Sequence, residues 1–250
     1  MRPDQRRAIQ SKSLHVPLGP SKIADNVNVA CPIGCEFCFL TVEKMNNGTA
    51  AKMTNFVTSN LRNLKLVHFC GGEPFLQKTT RRILREASQV DDPPKFEFVT
   101  SLSYLDDDLR QRITASKLHY VNVSVNAATR MTYQKTIARG NWERLIENLD
   151  FIEGARGSGQ LMMSFVVTRS NFHEIEQFAH FCQRWSPASI HYHTLKPGTE
   201  NYEDLQLNRE QAKSVLDQLK APIFTQLGHK AHVVVLRDMC RAIAGQAAAA

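Results

Sequence analysis

Two kinds of hydrophobic pattern alternate along this chain. Short runs rich in β-branched and aromatic residues are typical of strands, and longer stretches with apolar residues three or four positions apart are typical of amphipathic helices. The first pattern predicts strands at 24–30, 65–70, 95–100, 119–125, 161–168 and 188–194, with a seventh candidate at 231–236. The second predicts helices at 36–46, 51–62, 76–89, 106–116, 141–154, 171–185 and 208–219.

This alternation indicates repeated βα units and therefore an α/β fold with a parallel sheet. Right-handed crossovers lay consecutive strands side by side, so we expect the sheet to curl into a partial TIM-type (β/α)6 barrel. An open doubly wound sheet is the main alternative. Nothing marks an internal domain boundary. The predicted organisation is a basic N-terminal segment at 1–22, one barrel at 23–245 and a tail at 246–250.

The composition is that of a globular protein. Of the 250 residues 42% are hydrophobic and 22% charged, which is enough apolar material to bury a core. No apolar run approaches the roughly 20 residues needed to span a bilayer, and the arginine-rich start lacks the apolar stretch of a signal peptide. We therefore expect a cytoplasmic protein with no membrane partner. Six cysteines, three of them close together, favour a metal site in a reducing compartment over a disulfide framework.

The net charge is positive. Lysine and arginine number 31 against 24 aspartate and glutamate, a formal charge of +7, and the basic residues gather at 1–22 and 78–85. This excess permits an anionic partner such as nucleic acid but does not require one. We interpret it as solvated surface together with the binding of an anionic cofactor.

Three cysteines, Cys31, Cys35 and Cys38, follow the first predicted strand. Three thiolates hold a four-iron cluster while leaving one iron open to a ligand, because an ordinary [4Fe–4S] cluster takes one thiolate per iron. The loop after a strand is also where barrels of this kind build their active sites. A zinc site completed by a fourth protein ligand is the alternative.

A glycine pair, Gly71 and Gly72, leads into Glu73 and Pro74 after the second predicted strand. Two glycines let the backbone approach a ligand, and their N–H and C=O groups can bind a polar group such as the ammonium of an amino acid. A simple strand-to-helix turn is the alternative. The position one βα unit after the cysteine loop favours the ligand.

The two motifs together resemble those of radical S-adenosylmethionine (SAM) enzymes. The cysteines follow that superfamily's C-x3-C-x-aromatic-C pattern with Phe37 as the aromatic residue, and 71–74 resembles its methionine-binding motif. The resemblance implies a [4Fe–4S] cluster whose open iron binds the methionyl end of SAM. It also implies that Phe37 and Phe39 lie near the adenine and that the backbone of Gly71, Gly72 and Glu73 receives the amino group.

The segment 121–148 is similar to the fourth strand and following helix of the peptide-modifying radical SAM group that often carries a SPASM extension. By this similarity Ser124 and Arg139 are candidates for the SAM carboxylate, since arginine suits bidentate carboxylate binding. Asn126 stands at the family's usual aspartate and can still hydrogen-bond a ribose hydroxyl. Only Cys182 and Cys240 follow Cys70, so we expect neither auxiliary clusters nor the cysteine-rich C-terminal extension.

Two histidines, His191 and His193, lie on one face of the sixth predicted strand. If that face points inward, the two histidines face the cofactor or the substrate. We assign His193 to the cofactor. A core or a surface position is the alternative for both.

The resemblance implies reductive cleavage of SAM to a 5′-deoxyadenosyl radical that takes a hydrogen atom from a peptide or protein. A flavodoxin or ferredoxin would supply the electron. A nucleotide, nucleoside, RNA or small-molecule substrate is the alternative within enzymes. An Fe–S or zinc binding module without catalysis is the alternative outside them.

Overall fold

Seven parallel strands form one sheet in which their order across the sheet equals their order in the sequence. The computed structural model describes residues 20–25, 31–38 and 47–245. The strands are β1 Lys22–Asp25, β2 Leu66–Phe69, β3 Lys95–Thr100, β4 Lys117–Ser124, β5 Gln160–Val167, β6 Ser189–Thr194 and β7 Ala231–His232. A doubly wound sheet reverses its strand order at a switch point, so the sequential order confirms the partial barrel.

Ten α-helices occur in the described residues. They are α1 Asn47–Ser59, α2 Lys78–Ala87, α3 Asp107–Thr114, α4 Arg130–Thr136, α5 Trp142–Ala155, α6 Ile175–Cys182, α7 Tyr202–Leu205, α8 Arg209–Gln218, α9 Pro222–Leu227 and α10 Val234–Ala244. Short 3-10 turns extend some of them, at Pro74–Leu76, Phe172–Glu174, Gln183–Trp185 and Gly228–Lys230. None of the helices in these ranges is long and apolar enough to cross a membrane.

The sheet has an apolar face and a polar face. Residues such as Phe69, Phe98 and Phe165 are almost fully buried on the helix side and form the hydrophobic core there. Consecutive side chains of a strand alternate between the faces, so the residues between them lie on the other side, which we call the inner face. The inner face carries His68, Glu97, Tyr120, Asn122, Ser124, Ser164, His191, His193 and His232.

A bulge interrupts the pairing of β3 and β4. Phe96 pairs with Leu118, but Glu97 pairs with Tyr120, so His119 is the extra residue. The bulge turns the His119 ring toward Glu97, whose carboxylate contacts His119 Nδ1 at 2.5 Å and His68 Nδ1 at 3.0 Å. A buried carboxylate on the inner face thus has two imidazole partners.

The sequence prediction was wrong at the end of the barrel. The strand predicted at 231–236 ends after His232, and α10 begins at Val234. Leu236, Cys240 and Ala244 recur at intervals of four residues and are buried, which is a helical stripe that the valine-rich start concealed. Residues 36–38 form a turn at the start of the helix predicted at 36–46, and its remaining residues lie outside the described ranges, as do residues 26–30 of the first predicted strand.

Candidate functional site

The cysteine loop, residues 31–38, lies against the segment that follows α4. Cys35 and Ile137 form an isolated antiparallel bridge. Three backbone hydrogen bonds reinforce it, namely Glu36 N to Thr136 O at 3.0 Å, Ala138 N to Gly34 O at 3.1 Å and Arg139 N to Ile33 O at 2.9 Å. The loop is therefore held by backbone groups 100 to 106 residues away in the sequence.

A buried carboxylate positions α4, which supports this loop. Glu174 accepts hydrogen bonds from the backbone N–H of Ala128 at 2.6 Å and from the hydroxyls of Thr129 and Thr132 at 2.5 and 2.6 Å. Thr129 is also the N-cap of α4. The sequence analysis missed this helix because its buried positions include the polar Thr132 and Thr136 and its stabilising partner is 42 residues distant.

The three cysteines are free thiols that lie near one another. Cys31 and Cys35 are half-buried and Cys38 is exposed. Burial, together with the nearby charges of Cys31, Cys38 and Glu73, raises the pKa of the Cys35 thiol to about 12. Burial also raises the pKa of Cys31, although the backbone N–H groups of Ile33 and Glu73 oppose this. Three thiolates here repel each other unless a positive metal centre compensates their charge.

This donor set fits a [4Fe–4S] cluster. No group of three or more His, Cys, Asp or Glu within the described ranges is arranged to hold a single metal ion. An iron–sulfur cluster requires a wider arrangement, because each thiolate binds a different iron atom. Three thiols on one short, anchored loop supply that kind of donor.

The Glu36 carboxylate fastens the cysteine loop to the end of β5. It accepts hydrogen bonds from the Thr168 hydroxyl at 2.8 Å and the Ser170 hydroxyl at 3.0 Å. Thr168 is in turn held by Asn171, whose Oδ1 accepts from the Thr168 N–H at 2.8 Å. Sequence reasoning did not single out Glu36, and no local pattern identifies its partners.

The glycine-rich segment meets the cysteine loop at Glu73. Gly71 has a φ of 105°, which only glycine adopts readily, and the backbone N–H of Glu73 lies close to the Cys31 sulfur. The Glu73 carboxylate points away into the protein and accepts four hydrogen bonds. They come from Thr100 Oγ1 at 2.6 Å, Ser101 Oγ at 2.5 Å, Ser101 N at 2.9 Å and Phe75 N at 3.2 Å.

The buried Glu73 carboxylate is held by these donors although burial raises its pKa, and each of the four bonds opposes that rise. Its side chain therefore fixes the turn between β2 and α2. The backbone of the same residue stays directed at the cysteines.

Asn126 lies two residues after the end of β4 in a left-handed conformation, with a φ of 62°. Its Oδ1 accepts from Val166 N at 2.8 Å and its carbonyl accepts from Asn171 Nδ2 at 3.0 Å. Its Nδ2 is buried and has no hydrogen-bond partner among the residues that the structure describes. The Nδ2 group is therefore the part of Asn126 that can donate a hydrogen bond to a ligand.

The other predicted cofactor contacts are distributed around the same end of the sheet. Ser124 and His193 lie on the inner face, and Phe37 is half-buried within the cysteine loop. The Arg139 guanidinium donates to the Pro32 carbonyl at 3.2 Å and thus braces the loop, with its side chain exposed. Phe39 lies outside the described residues.

The structure brings the cysteines, Glu73 and Arg139 together. The roles of these residues toward SAM stay predictions. Cys182 and Cys240 are buried in the hydrophobic core.

Comparison with protein families gives one match over most of this region. The family model of the radical SAM superfamily matches residues 26–182, which is more than half of the chain and includes both the cysteine loop and the glycine-rich segment.

Two relatives illustrate the range of similar sequences. A protein described as a probable GTP 3′,8-cyclase from Saccharolobus islandicus is 26% identical over 170 residues, covering 67% of this chain and 54% of that protein. The mycofactocin maturase MftC of Mycolicibacterium smegmatis is 22% identical over 198 residues, covering 77% of this chain and 50% of MftC. The chain thus spans about half the length of these relatives.

Solved structures share the fold at low sequence identity. SuiB of Streptococcus suis, bound to its precursor peptide SuiA, superposes with a TM-score of 0.64 at 15% identity, covering 88% of this chain and 49% of SuiB. The enzyme anSMEcpe with bound AdoMet superposes with a TM-score of 0.61 at 12% identity, covering 84% of this chain and 62% of that one.

Proposed function

Because the chain belongs to the radical SAM superfamily, we propose that it binds SAM at a [4Fe–4S] cluster held by Cys31, Cys35 and Cys38 and uses it to take a hydrogen atom from a peptide or protein. When bound, the cluster supplies the electron for reductive cleavage of SAM, and SAM supplies the radical that abstracts hydrogen. The observation that carries the proposal is the contact between the cysteine loop and Glu73, which joins the two motifs at one edge of the sheet.

The chain's own residues supply position and rigidity. The backbone of 136–139 fixes the cysteine loop from one side, and the Glu36 carboxylate fixes it to the end of β5. The backbone of Gly71, Gly72 and Glu73 remains free of side-chain bulk for the amino group of SAM. Such support matters because a reactive site tolerates only small displacements of its ligands.

The inner face offers the surface for the rest of SAM and for the substrate. Ser124 and Arg139 are proposed for the SAM carboxylate, Asn126 for the ribose, and Phe37 and Phe39 for the adenine. His193 is proposed to contact the cofactor from β6. The sheet would exclude water from one side of a substrate bound at this face.

A peptide substrate is supported by two comparisons. SuiB, which shares the fold, was solved with a precursor peptide bound, and MftC is a maturase. The segment 121–148 is also similar to the peptide-modifying group. A flavodoxin or ferredoxin is the proposed electron donor.

A nucleotide substrate is the second candidate. It is favoured by the similarity to the GTP 3′,8-cyclase of S. islandicus and by the formal charge of +7. Basic surface raises the local concentration of phosphate-bearing ligands.

An anaerobic assay tests the proposal. The protein is reconstituted with iron and sulfide, mixed with SAM and dithionite, and the 5′-deoxyadenosine formed is measured. We expect product from the natural sequence and none from Cys35→Ala, which should also lose the cluster. If the reconstituted protein forms no 5′-deoxyadenosine and SAM does not change the spectrum of its reduced cluster, the proposal fails.

The substrate is then identified by isotope transfer. Candidate peptides and nucleotides deuterated at carbon are supplied in turn, and deuterium is sought in 5′-deoxyadenosine. Transfer from peptides alone supports the leading proposal, and transfer from nucleotides alone replaces it with the second candidate.

A further inference from the structure

Three histidines form a cluster on the inner face at the β6–β7 end of the sheet. His191 of β6 pairs in register with His232 of β7, and their rings stack with centroids 4.2 Å apart at an interplanar angle of 10°. His193 stacks on His191 at a centroid distance of 5.9 Å and an angle of 23°. We call these three residues the histidine cluster.

The histidine cluster is open to the space in front of the inner face. His193 and His232 have exposed side chains, and His191 is half-buried. His191 Nε2 contacts the Ser189 hydroxyl at 2.8 Å. Within the described ranges, no side-chain hydrogen bond is made by His193 or His232. Imidazole nitrogens without protein partners are available to a ligand.

The surroundings of the histidine cluster are basic or neutral. The pKa values of His191 and His193 are affected by other members of the histidine cluster and by Lys196, which follows β6. No carboxylate among the described residues affects them. On β5, the facing residues Met162, Ser164 and Val166 are uncharged. The turn Gly228–Lys230, which packs against β6, adds a histidine and a lysine.

On the core side, β6 packs against α10 through Leu236 and Cys240, and Tyr192 of β6 contacts the uncharged Phe178 of α6 and Phe224 of α9. Its charged residues include Asp238, which pairs with Arg241 of the same helix at 3.7 Å. The acidic group on the inner face is Glu97 of β3, and it is bound to His68 and His119. The carboxylate on the inner face therefore lies toward β3 with its own imidazole partners, and the histidine cluster lies toward β7, away from it.

We propose that His191 and His232 of the histidine cluster bind an anionic oxygen group of the substrate, a carboxylate or a phosphate, while the neighbouring His193 faces the cofactor, and that this contact orients the substrate across the inner face. The proposal rests on the proposed function for the identity of the reaction, but binding of the anion can be measured without turnover. A row of polar groups leads from this site toward the cofactor end, since His191 pairs with Ser164 and Ser164 pairs with Ser124.

Protonation of the histidine cluster is coupled to its ligand. Burial and the two neighbouring imidazoles lower the pKa of His191 to about 4, and partial burial with Lys196 lowers the pKa of His193. His191 and His193 are therefore neutral at neutral pH. A bound anion favours the imidazolium form, so it raises these pKa values and binding takes up protons. Affinity should thus be higher at low pH and fall as pH rises.

Equilibrium dialysis tests the proposal with two radiolabelled probes, inorganic phosphate and glutarate. The protein is first reconstituted with its cluster and SAM, and 5′-deoxyadenosine formation is measured in a portion of the same sample. We expect millimolar binding of at least one probe, with roughly tenfold weaker affinity at about pH 8 than at about pH 6. The preferred probe distinguishes a phosphate-bearing substrate from a carboxylate-bearing one.

Two variants and a calorimetric readout complete the test. The double variant, which combines His191→Asn with His232→Asn, should raise the Kd of the probe at least about tenfold. His180→Asn, a change to an exposed histidine of α6, should bind as the natural sequence does. Calorimetry in buffers of different ionisation enthalpy should show net proton uptake by the natural sequence, which a purely structural role would not produce.

Absence of binding by both probes, equal affinity in the double variant, or binding without proton uptake each overturns the inference. If 5′-deoxyadenosine forms but the probes do not bind, the inference fails alone. If the probes bind but no 5′-deoxyadenosine forms, the proposed function fails and the anion site stands. If the double variant fails to fold, the proton uptake of the natural sequence decides whether the inference stands.

Discussion

The Thr168 hydroxyl donates a hydrogen bond of 2.8 Å to the carboxylate of Glu36, a residue 132 positions earlier in the chain. Glu36 lies between two of the proposed cluster ligands, and Thr168 lies just after β5. The contact therefore makes the geometry of the cysteine loop depend on the far side of the barrel.

Thr168→Val should loosen the cysteine loop. Valine has the shape of threonine but cannot donate to Glu36, and loss of a hydrogen bond to a charged group costs about 1.5–3 kcal/mol. We expect less iron per protein after reconstitution and faster loss of iron to a chelator. Thr168→Ser keeps the hydroxyl and is the matched control. Equal iron retention in the valine and serine variants would show that the contact is not needed.

Gly140→Ala should destabilise the fold. An added Cβ would lie 2.5 Å from Cε1 and 2.9 Å from Cζ of the Tyr133 ring, which is completely buried. Overpacking of this kind costs about 1–3 kcal/mol in the free energy of unfolding. Urea denaturation measures the change.

Gly154→Ala is the matched control for this substitution. Gly154 lies inside α5 with no atom within 4 Å of an added Cβ, so alanine should stabilise by about 0.5–1 kcal/mol through helix propensity. Similar free energies of unfolding for the two alanine variants would contradict the packing argument.

Glu73→Ala should be strongly destabilising. It leaves the four donors from Thr100, Ser101 and Phe75 without their acceptor, and an unsatisfied buried donor costs about 1–3 kcal/mol. We expect a loss of at least about 2 kcal/mol in the free energy of unfolding. Glu86→Ala, which removes a surface partner of Arg82, should change it by less than about 1 kcal/mol. A small effect at both positions would refute the structural role of Glu73.

Acid should destabilise the protein partly through His191. The unfolded chain protonates this ring near its ordinary pKa of 6.5, whereas the folded protein does so only at about 4. Between these values the unfolded state binds more protons, so the contribution to stability is complete above pH 6.5 and declines as pH falls toward 4. Water reaches the half-buried ring, so we expect an effect of about 1 kcal/mol.

His191→Asn should reduce this dependence, and His180→Asn should preserve it. The measurement is the free energy of unfolding in urea at several pH values. Because carboxylates also respond to acid, the informative quantity is the difference between each variant and the natural sequence. Parallel curves for His191→Asn and the natural sequence would contradict the expected pKa of His191.

The sequence was sufficient for the elements whose patterns are local. β5 was predicted almost to the residue because its apolar run is nearly continuous, and β6 because Ile190 and Tyr192 alternate with polar residues. α5 was predicted because its apolar stripe is clear. The cysteine and glycine motifs were adjacent in the predicted topology, and the structure places Glu73 beside Cys31.

The sequence was insufficient where stability comes from distant partners. α4 is short and polar, and it depends on the carboxylate of Glu174. The bulge at His119 depends on its pairing with β3, which no pattern within β4 reveals. Glu36 looks like any charged residue in a loop until Thr168 is beside it. These contacts join residues that are distant in the sequence, so a local sequence pattern cannot predict them.

The anchoring of the cysteine loop also has a consequence for biosynthesis. Its supports at 136–139 and 168–170 leave the ribosome long after the cysteines do, and domains fold as their chains emerge. Closing so long a loop carries an entropic cost that only the completed β5 offsets. The three thiols of a nascent chain are therefore unsupported until residue 170 has been made, and we expect insertion of the proposed cluster to follow translation of that part.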